Sequence, residues 1–243
     1  MSEYPILITA LLPIAILAFY IYRKDNKSPE PTGLLLKAFF LGVLSVPLSL
    51  CISMPLEILG LYSMEPSTVA GAISTSFWGA AIPEEIAKFT MLWLVLRKNR
   101  YFDEKMDGIV YAVCVSLGFA ALENIMYLFT NAENYLSVGI ARAIFAVPGH
   151  FCFGILMGYY YSLAKFYPKS ATKNRALVLV APIIAHGLYD SILFIIGVTP
   201  AVSGILVIVF LVFCHKMWEY GSKKIKEHLE RDNDRNCPCD CSI

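Results

Sequence analysis

The sequence has little charge. Asp, Glu, Lys and Arg make up 16% of its 243 residues, whereas hydrophobic residues make up 57%. An average soluble domain has roughly 25% charged and 45–50% apolar residues, so this composition argues against a water-soluble enzyme. The chain also lacks an excess of positive or negative charge, since its net charge is +1, and its basic residues are dispersed along the sequence. Nucleic-acid binding needs a concentrated basic surface, so nucleic acid is not expected as a partner.

The chain also lacks a disulfide framework, a clear internal repeat and a polar segment long enough for a soluble domain. Its cysteines are odd in number, seven in all, and four lie inside apolar runs. The other three, Cys237, Cys239 and Cys241, form a Cys-Pro-Cys-Asp-Cys tail. Such a tail can bind metal or carry a lipid, but a solvated, reduced terminus is the simpler interpretation.

What the sequence does contain is a series of apolar runs of about 20 residues, the length that a helix needs to cross a bilayer. Between them, segments rich in Lys and Arg alternate with segments that have few or none. The positive-inside rule makes the basic segments cytoplasmic, with the N-terminus outside and the C-terminus cytoplasmic. The sequence therefore predicts an all-α, polytopic transmembrane helix bundle in the cell membrane. About seven spans are expected, at Tyr4–Tyr22, Leu34–Pro55, Thr68–Leu96, Gly108–Thr130, Val138–Ala164, Ala176–Ile196 and Val198–Tyr220.

We expect one transmembrane domain, residues 1–220, and a cytoplasmic tail, residues 221–243. The tail begins with a basic amphipathic piece, Lys223–Leu229, which either lies on the anionic leaflet or forms a solvated helix end. The third span is unusual because it is long and contains Pro83 well inside its apolar stretch. We expect it to be tilted or broken.

Seven ionisable residues lie well inside four consecutive predicted spans, although each costs at least roughly 2.5–3.5 kcal/mol at mid-bilayer. Arg142, near the outer end of the fifth span, is expected to be an interfacial anchor instead. Counting about 1.5 Å per residue from the cytoplasmic ends places six of them at similar depths, within roughly 15–23 Å. Helices that run in opposite directions have no packing reason to match in this way, so we expect one shared polar cavity. The seven residues are Glu84, Glu85, Lys88, Glu123, His150, His186 and Asp190.

Spacing along the helices predicts two pairs, since residues four apart share a helix face. Glu84 and Lys88 are expected to form a buried ion pair. In the second pair, Asp190 can fix the tautomer of His186 or supply a further ligand. Asn124 in the fourth span can donate to a developing oxyanion, or it can make a helix–helix hydrogen bond.

Four motifs in this part of the chain resemble those of the PrsW intramembrane proteases, which are similar to the CAAX-processing and bacteriocin-processing membrane proteases. The larger group has EExxxR and FxxxH, from which this chain departs at Lys88 and Glu123. The resemblance implies site-specific cleavage of a membrane-anchored protein, in PrsW an anti-sigma factor that is cut on its outer side. The four motifs are Glu84–Lys88 (EExxK), Phe119–Asn124 (FxxxEN), the isolated His150 and His186–Asp190 (HxxxD).

Peptide hydrolysis needs an activated water, a group that polarises the carbonyl and an acid for the leaving amine. In a metal-dependent version, His150, His186 and a carboxylate of Glu123 or Asp190 bind Zn²⁺ and leave a position for water. A glutamate of the third span then acts as the general base, and spacing does not decide which one. The expected catalytic residues are Glu84, Glu85, Lys88, Glu123 and Asn124.

In a metal-free version, a glutamate activates water directly while His186 and Asn124 stabilise the oxyanion. We favour a metal because it offsets repulsion among the carboxylates, although the chain lacks the short two-histidine helix spacing of better-known metalloproteases. Two hypotheses from other classes fit the same residues. One is a proton- or cation-coupled membrane transporter, and the other is a scaffold whose polar network is only structural.

Overall fold

A computed structural model describes residues 3–25 and 28–234, and every regular element among them is helical. This confirms the all-α fold class. The three cysteines of the tail lie outside the described residues. The helices are α1 (Tyr4–Lys24), α2 (Thr32–Ile58), α3 (Val69–Ser74), α4 (Ile82–Leu96), α5 (Lys105–Thr130), α6 (Tyr135–Ala141), α7 (Val147–Phe166), α8 (Ala171–Val198) and α9 (Ser203–Asn233).

Six helical stretches in the described part of the chain are long and apolar enough to cross a membrane. They correspond to six of the seven predicted spans and confirm a multi-pass membrane protein. The third predicted span, residues 68–96, is helical as well but is not among these six. The orientation of the termini stays a prediction.

The two interrupted helices share one local cause. A π-helical turn at Thr75–Ala81 leads into α4, and another at Arg142–Ala146 leads into α7. Pro83 and Pro148 follow these turns directly, at the start of the next α-helix. Proline has no N–H group and its ring collides with the carbonyl four residues earlier, so the preceding turn opens and bonds over five residues. The break predicted for the third span is this π turn.

The centre of the bundle is α5. Residues 106–121 of this helix are all buried, and α5 packs against α1, α2 and α7. Its approach to α7 depends on small residues, because a Cβ atom at Gly154 would lie 2.9 Å from the Cβ of Ser116. A Cβ atom at Gly158 would overlap the backbone of Gly108. These small residues allow the backbones of the two helices to approach closely.

The outer helices α1, α2 and α9 expose large apolar side chains. Such a large apolar surface is unfavourable in water, whereas lipid acyl chains can pack against it. The surface therefore supports insertion in a bilayer. Side chains that are more than 60% exposed include Ile8, Phe19, Phe40, Ile205 and Ile208.

The last turns of α9 pack against the start of α5 and the second half of α7. The carboxylate of Asp232 accepts hydrogen bonds from the backbone N–H groups of Lys105 and Met106, at 3.0 and 2.9 Å. On α7, the hydroxyl of Tyr159 donates to Glu227 at 2.7 Å. The helix is continuous across the predicted domain boundary at residues 220 and 221, and the two-part division stays a prediction.

Candidate active site

The ammonium group of Lys88 lies at the centre of the polar residues. Its Nζ atom donates to Glu85 Oε1 at 2.8 Å and to Glu84 Oε2 at 3.3 Å, both one turn earlier on α4. It also lies 3.2 Å from Nδ1 of His150 on α7, and 4.1 Å from the centre of the Phe119 ring. Lys88 is only 1% exposed. These partners therefore replace the water that a buried ammonium group loses.

The imidazole of His186 on α8 is held between two carboxylates. Its Nδ1 atom is 2.9 Å from Oε1 of Glu85, and its Nε2 atom is 3.2 Å from Oδ2 of Asp190. The ring stacks on Phe153, with 4.6 Å between the ring centres. Stacking on one side and carboxylates at both nitrogens fix the orientation of the ring. A carboxylate at one nitrogen is the usual support for a histidine that binds a metal through the other.

The imidazole of His150 joins the central lysine to a second acidic group. Its Nε2 atom is 2.9 Å from Oε2 of Glu123, and the same oxygen accepts from Nη2 of Arg142 at 2.6 Å. Arg142 also donates to the side-chain oxygen of Asn124 at 2.6 Å, and the Asn124 amide donates to the carbonyl of Ala10 on α1 at 3.0 Å. Asn124 therefore makes the helix–helix hydrogen bond that was one of its two predicted roles.

All the predicted site residues belong to one connected network that spans α4, α5, α7 and α8. None of them lies apart, which is the convergence that their similar depths indicated. Their chemical roles stay predictions. The contacts run from Asp190 through His186, Glu85, Lys88, His150, Glu123 and Arg142 to Asn124, with Glu84 attached at Lys88.

Sequence reasoning missed the part that Arg142 has in this network. Its position near the outer end of the fifth span suggested an interfacial anchor. In the structure it pairs with Glu123, and its guanidinium group lies 4.1 Å from the centre of the Tyr127 ring. One signal was available, because Arg142 is an ionisable residue inside a predicted span, like the residues that were selected.

Exposure separates the two adjacent glutamates of α4. The side chain of Glu85 is completely buried, whereas that of Glu84 is 14% exposed. Adjacent residues on a helix point about 100° apart, so only one of the pair faces the side that opens. Glu84 is therefore the more accessible member of the pair.

The residues present fit a metal ion. One donor atom each from Glu84, Glu85 and His186 lies within 4.8 Å of the others. The Oε2 atom of Glu85 is buried and has no hydrogen-bond partner among the described residues, whereas buried carboxylate oxygens normally have one. Imidazole and carboxylate groups are also the ligands that catalytic zinc sites use.

This donor set overlaps only partly with the ligands expected from the sequence. His186 belongs to both sets, and Asp190 contacts its ring. His150 and Glu123 lie on the other side of the Lys88 ammonium group, whose positive charge, 3.2 Å from Nδ1 of His150, opposes a second cation there. The geometry thus favours Glu85, which contacts His186, over the second histidine as a ligand.

Comparisons with known proteins agree with the motifs. A family model described as "PrsW family intramembrane metalloprotease" matches residues 30–215. The chain is 35% identical over 224 residues to "Protease PrsW" of Clostridioides difficile (strain 630), covering 90% of each chain. It is 35% identical over 228 residues to "Protease PrsW" of Bacillus subtilis (strain 168), covering 92% of this chain and 95% of the relative.

A third relative, "Protease PrsW" of Oceanobacillus iheyensis, is 37% identical over 188 residues, which are 77% of this chain and 82% of the relative. No solved structure matches the chain. The family match covers most of the sequence, includes all four motifs and agrees with a bundle of apolar helices. The chain therefore belongs to the PrsW family of intramembrane metalloproteases, and it is a multi-pass membrane peptidase.

Proposed function

We propose that Glu84 is the general base that takes a proton from the attacking water. The observation that carries this assignment is the exposure of Glu84 beside a fully buried Glu85. After attack, the protonated Glu84 gives this proton to the nitrogen of the leaving amine and so returns to its carboxylate form. Glu85 is held by Lys88 and His186 and is too enclosed to exchange protons with water.

The carboxylate of Glu85 and the imidazole of His186 would hold a divalent metal, which we propose to be Zn²⁺. When bound, the ion would acidify a water molecule and polarise the peptide carbonyl. The free Oε2 atom of Glu85 supports this assignment, because it lies buried with a lone pair to offer. Asp190 then fixes the His186 ring from its other nitrogen.

Lys88 and the group around His150 would position the reacting residues. The ammonium group balances the charges of Glu84 and Glu85, which would otherwise repel each other at short range. His150 holds that ammonium group in place and is itself held by Glu123. These residues act through their neighbours and do not need to touch the substrate.

The substrate would be a membrane-anchored protein, cut at one site on its outer side. The burial of the whole network inside an apolar bundle supports a peptide bond close to a membrane span. The family resemblance favours an anti-sigma factor, whose cleavage would start a stress response.

The test uses purified protein reconstituted in proteoliposomes with a tagged, single-span anti-sigma factor from the source organism. Glu84→Gln should lose at least roughly 100-fold in cleavage rate and keep its zinc. Glu85→Gln and His186→Ala should lose both cleavage and zinc. The matched control is Glu65→Gln, which changes an exposed glutamate outside the network and should behave as wild type.

Two results would contradict this assignment. Full cleavage by Glu84→Gln would show that another group is the base. Full cleavage by protein that a transition-metal chelator has emptied of zinc would establish the metal-free version, with a glutamate activating water directly.

A further inference from the structure

A second set of carboxylates lies outside the active site, where the end of α1 meets the start of α5. We call it the acidic cluster; its members are Asp25, Glu30, Glu104 and Asp107. One oxygen each from Asp25, Glu104 and Asp107 lies within 4.8 Å of the others. From this geometry we propose that the acidic cluster binds one hard divalent cation, Ca²⁺ or Mg²⁺, which ties α1 to α5.

Two oxygen atoms of the cluster have no hydrogen-bond partner. Asp25 is 4% exposed and Asp107 is 1% exposed. Among the described residues, Oδ2 of Asp25 and Oδ1 of Asp107 are buried without a donor. The other oxygen of Asp107 is occupied, because it accepts from the backbone N–H groups of Asp103 and Glu104 at 3.0 and 2.7 Å. Two orphaned, buried oxygens in one cluster indicate a missing positive partner.

The positive side chains nearby are engaged elsewhere. Lys105 pairs with Asp232 at 3.2 Å, and the ammonium group of Lys165 donates to the carbonyl oxygen of Phe102. Within residues 3–25 and 28–234, no Lys, Arg or His forms an ion pair with Asp25, Glu30 or Asp107. No Lys, Arg or His side chain in the described part of the chain therefore neutralises these three carboxyl groups by direct contact.

The electrostatics of Asp25 agree with an uncompensated site. Burial, followed by the neighbouring carboxylates of Glu30 and Glu104, raises the pKa of Asp25 to about 7. Glu30 is also buried, and one of its oxygens accepts a hydrogen bond from the hydroxyl of Tyr111. A divalent cation would relieve the repulsion among these carboxylates while that hydrogen bond stays in place.

The chemistry and the spacing both favour a hard cation. All the donors are carboxylate oxygens, which are the ligands of Ca²⁺ and Mg²⁺, and no imidazole or thiol takes part. Ca²⁺ binds oxygens at about 2.3–2.6 Å, so two ligands on opposite sides of one ion lie roughly 4.6–5.2 Å apart. Oxygens that all lie within 4.8 Å of one another can surround a single ion of this kind.

The test measures thermal unfolding of the full-length, chelator-treated protein in detergent, with and without CaCl₂ or MgCl₂. We expect at least one of the two cations to raise the Tm by roughly 5–10 °C at a hundredfold excess over its Kd. Equilibrium dialysis should find one such ion per chain. The rise should persist in Glu85→Gln, which removes the proposed zinc ligand and so separates this site from the active site.

Asp25→Asn and Asp107→Asn should each abolish most of the rise in Tm. Both should also raise the Tm of the cation-free protein, because they remove a repelling charge, whereas loss of a structural hydrogen bond would lower it. The amide oxygen introduced by Asp107→Asn can still accept the two backbone hydrogen bonds, so the start of α5 is preserved. Asp103→Asn is the matched control, since it neutralises an exposed aspartate of the same loop and should keep the full rise.

The proposal is overturned if neither cation raises the Tm of the wild-type protein or binds in dialysis. It is equally overturned if the rise is unchanged in both Asp25→Asn and Asp107→Asn. Stabilisation by acid alone, without any response to either cation, would show that protons satisfy the cluster instead. If one variant does not fold, the other variant and the dialysis measurement decide.

Discussion

The Nζ atom of Lys88 lies 3.2 Å from Nδ1 of His150, a residue 62 positions later in the chain. An ammonium group can only donate, so Nδ1 of His150 accepts. The proton of a neutral His150 is then assigned to Nε2, which faces Glu123 at 2.9 Å. This contact fixes the tautomer of the histidine and joins the acidic pair on α4 to the residues of α5.

Removal of the central ammonium group should destabilise the protein strongly. Lys88→Met leaves Glu84 and Glu85 buried without their cation, for which we expect a loss of about 3–5 kcal/mol in the free energy of unfolding. Thermal or denaturant unfolding in detergent measures this loss. The control is Lys216→Met, which breaks an exposed pair with Glu219 and should leave the stability nearly unchanged.

A second variant makes the interpretation of Lys88→Met specific. Adding Glu85→Gln should recover part of the lost stability, because it removes one of the two stranded charges. A Lys88→Met protein as stable as Lys216→Met would contradict a charge-balancing role for Lys88.

Loss of the carboxylate behind His186 should weaken metal binding. Asp190→Asn replaces the anionic partner of Nε2 with a neutral amide, so the ring is less firmly oriented and less basic. We expect zinc affinity to fall about 10–100-fold, as for other residues that orient a metal ligand. Competition with a zinc indicator measures the affinity, and excess zinc should restore much of the cleavage. An unchanged zinc affinity would show that Asp190 does not support the metal site.

Arg142 should affect cleavage without affecting metal content. Arg142→Ala removes the donors to Glu123 and Asn124, so His150 loses the support of its carboxylate partner. We expect cleavage to fall roughly tenfold, equivalent to about 1.4 kcal/mol, with zinc content unchanged. Arg142→Lys keeps the charge but not the two-point contact and should be intermediate. Loss of zinc in Arg142→Ala would place Arg142 in the metal site instead.

The C-terminal end of α9 should contribute to stability by capping α5. Asp232→Ala removes the acceptor for two backbone N–H groups at the start of that helix. Loss of such a cap typically costs about 0.5–2 kcal/mol, and scanning calorimetry or fluorescence should detect a lower Tm. Glu230→Ala, which breaks an exposed pair with Lys226, is the control and should leave the Tm nearly unchanged. If Asp232→Ala and Glu230→Ala changed the Tm equally, the C-terminal end of α9 would not be stabilising the start of α5.

Much of the site was predictable because a membrane makes polar residues conspicuous. Glu123, His150 and His186 stand out in apolar spans, and helix geometry converts their positions into a common depth. Family membership then decides between the protease and transporter hypotheses, which the same carboxylates fit equally well.

Other features depend on contacts that helical spacing does not contain. The pairing of Arg142 with Glu123 joins two different helices across 19 positions of sequence, at the first residue of a π turn. The acidic cluster joins Asp25 to Asp107 across 82 positions of sequence, outside the repeating pattern of spans. The direction of Glu84 relative to Glu85 likewise depends on which neighbours cover α4.

The π turns at Thr75–Ala81 and Arg142–Ala146 determine where the chain can change in length. A π turn contains about one residue more than the α turn that would replace it. Deleting one residue there would leave the later side chains near their original directions, although it would press the proline ring against the carbonyl four residues earlier. The same deletion between Pro83 and Lys88 would turn everything beyond it by about 100°. Single-residue length variation beside the catalytic helices is therefore structurally permitted just upstream of each proline and forbidden just downstream.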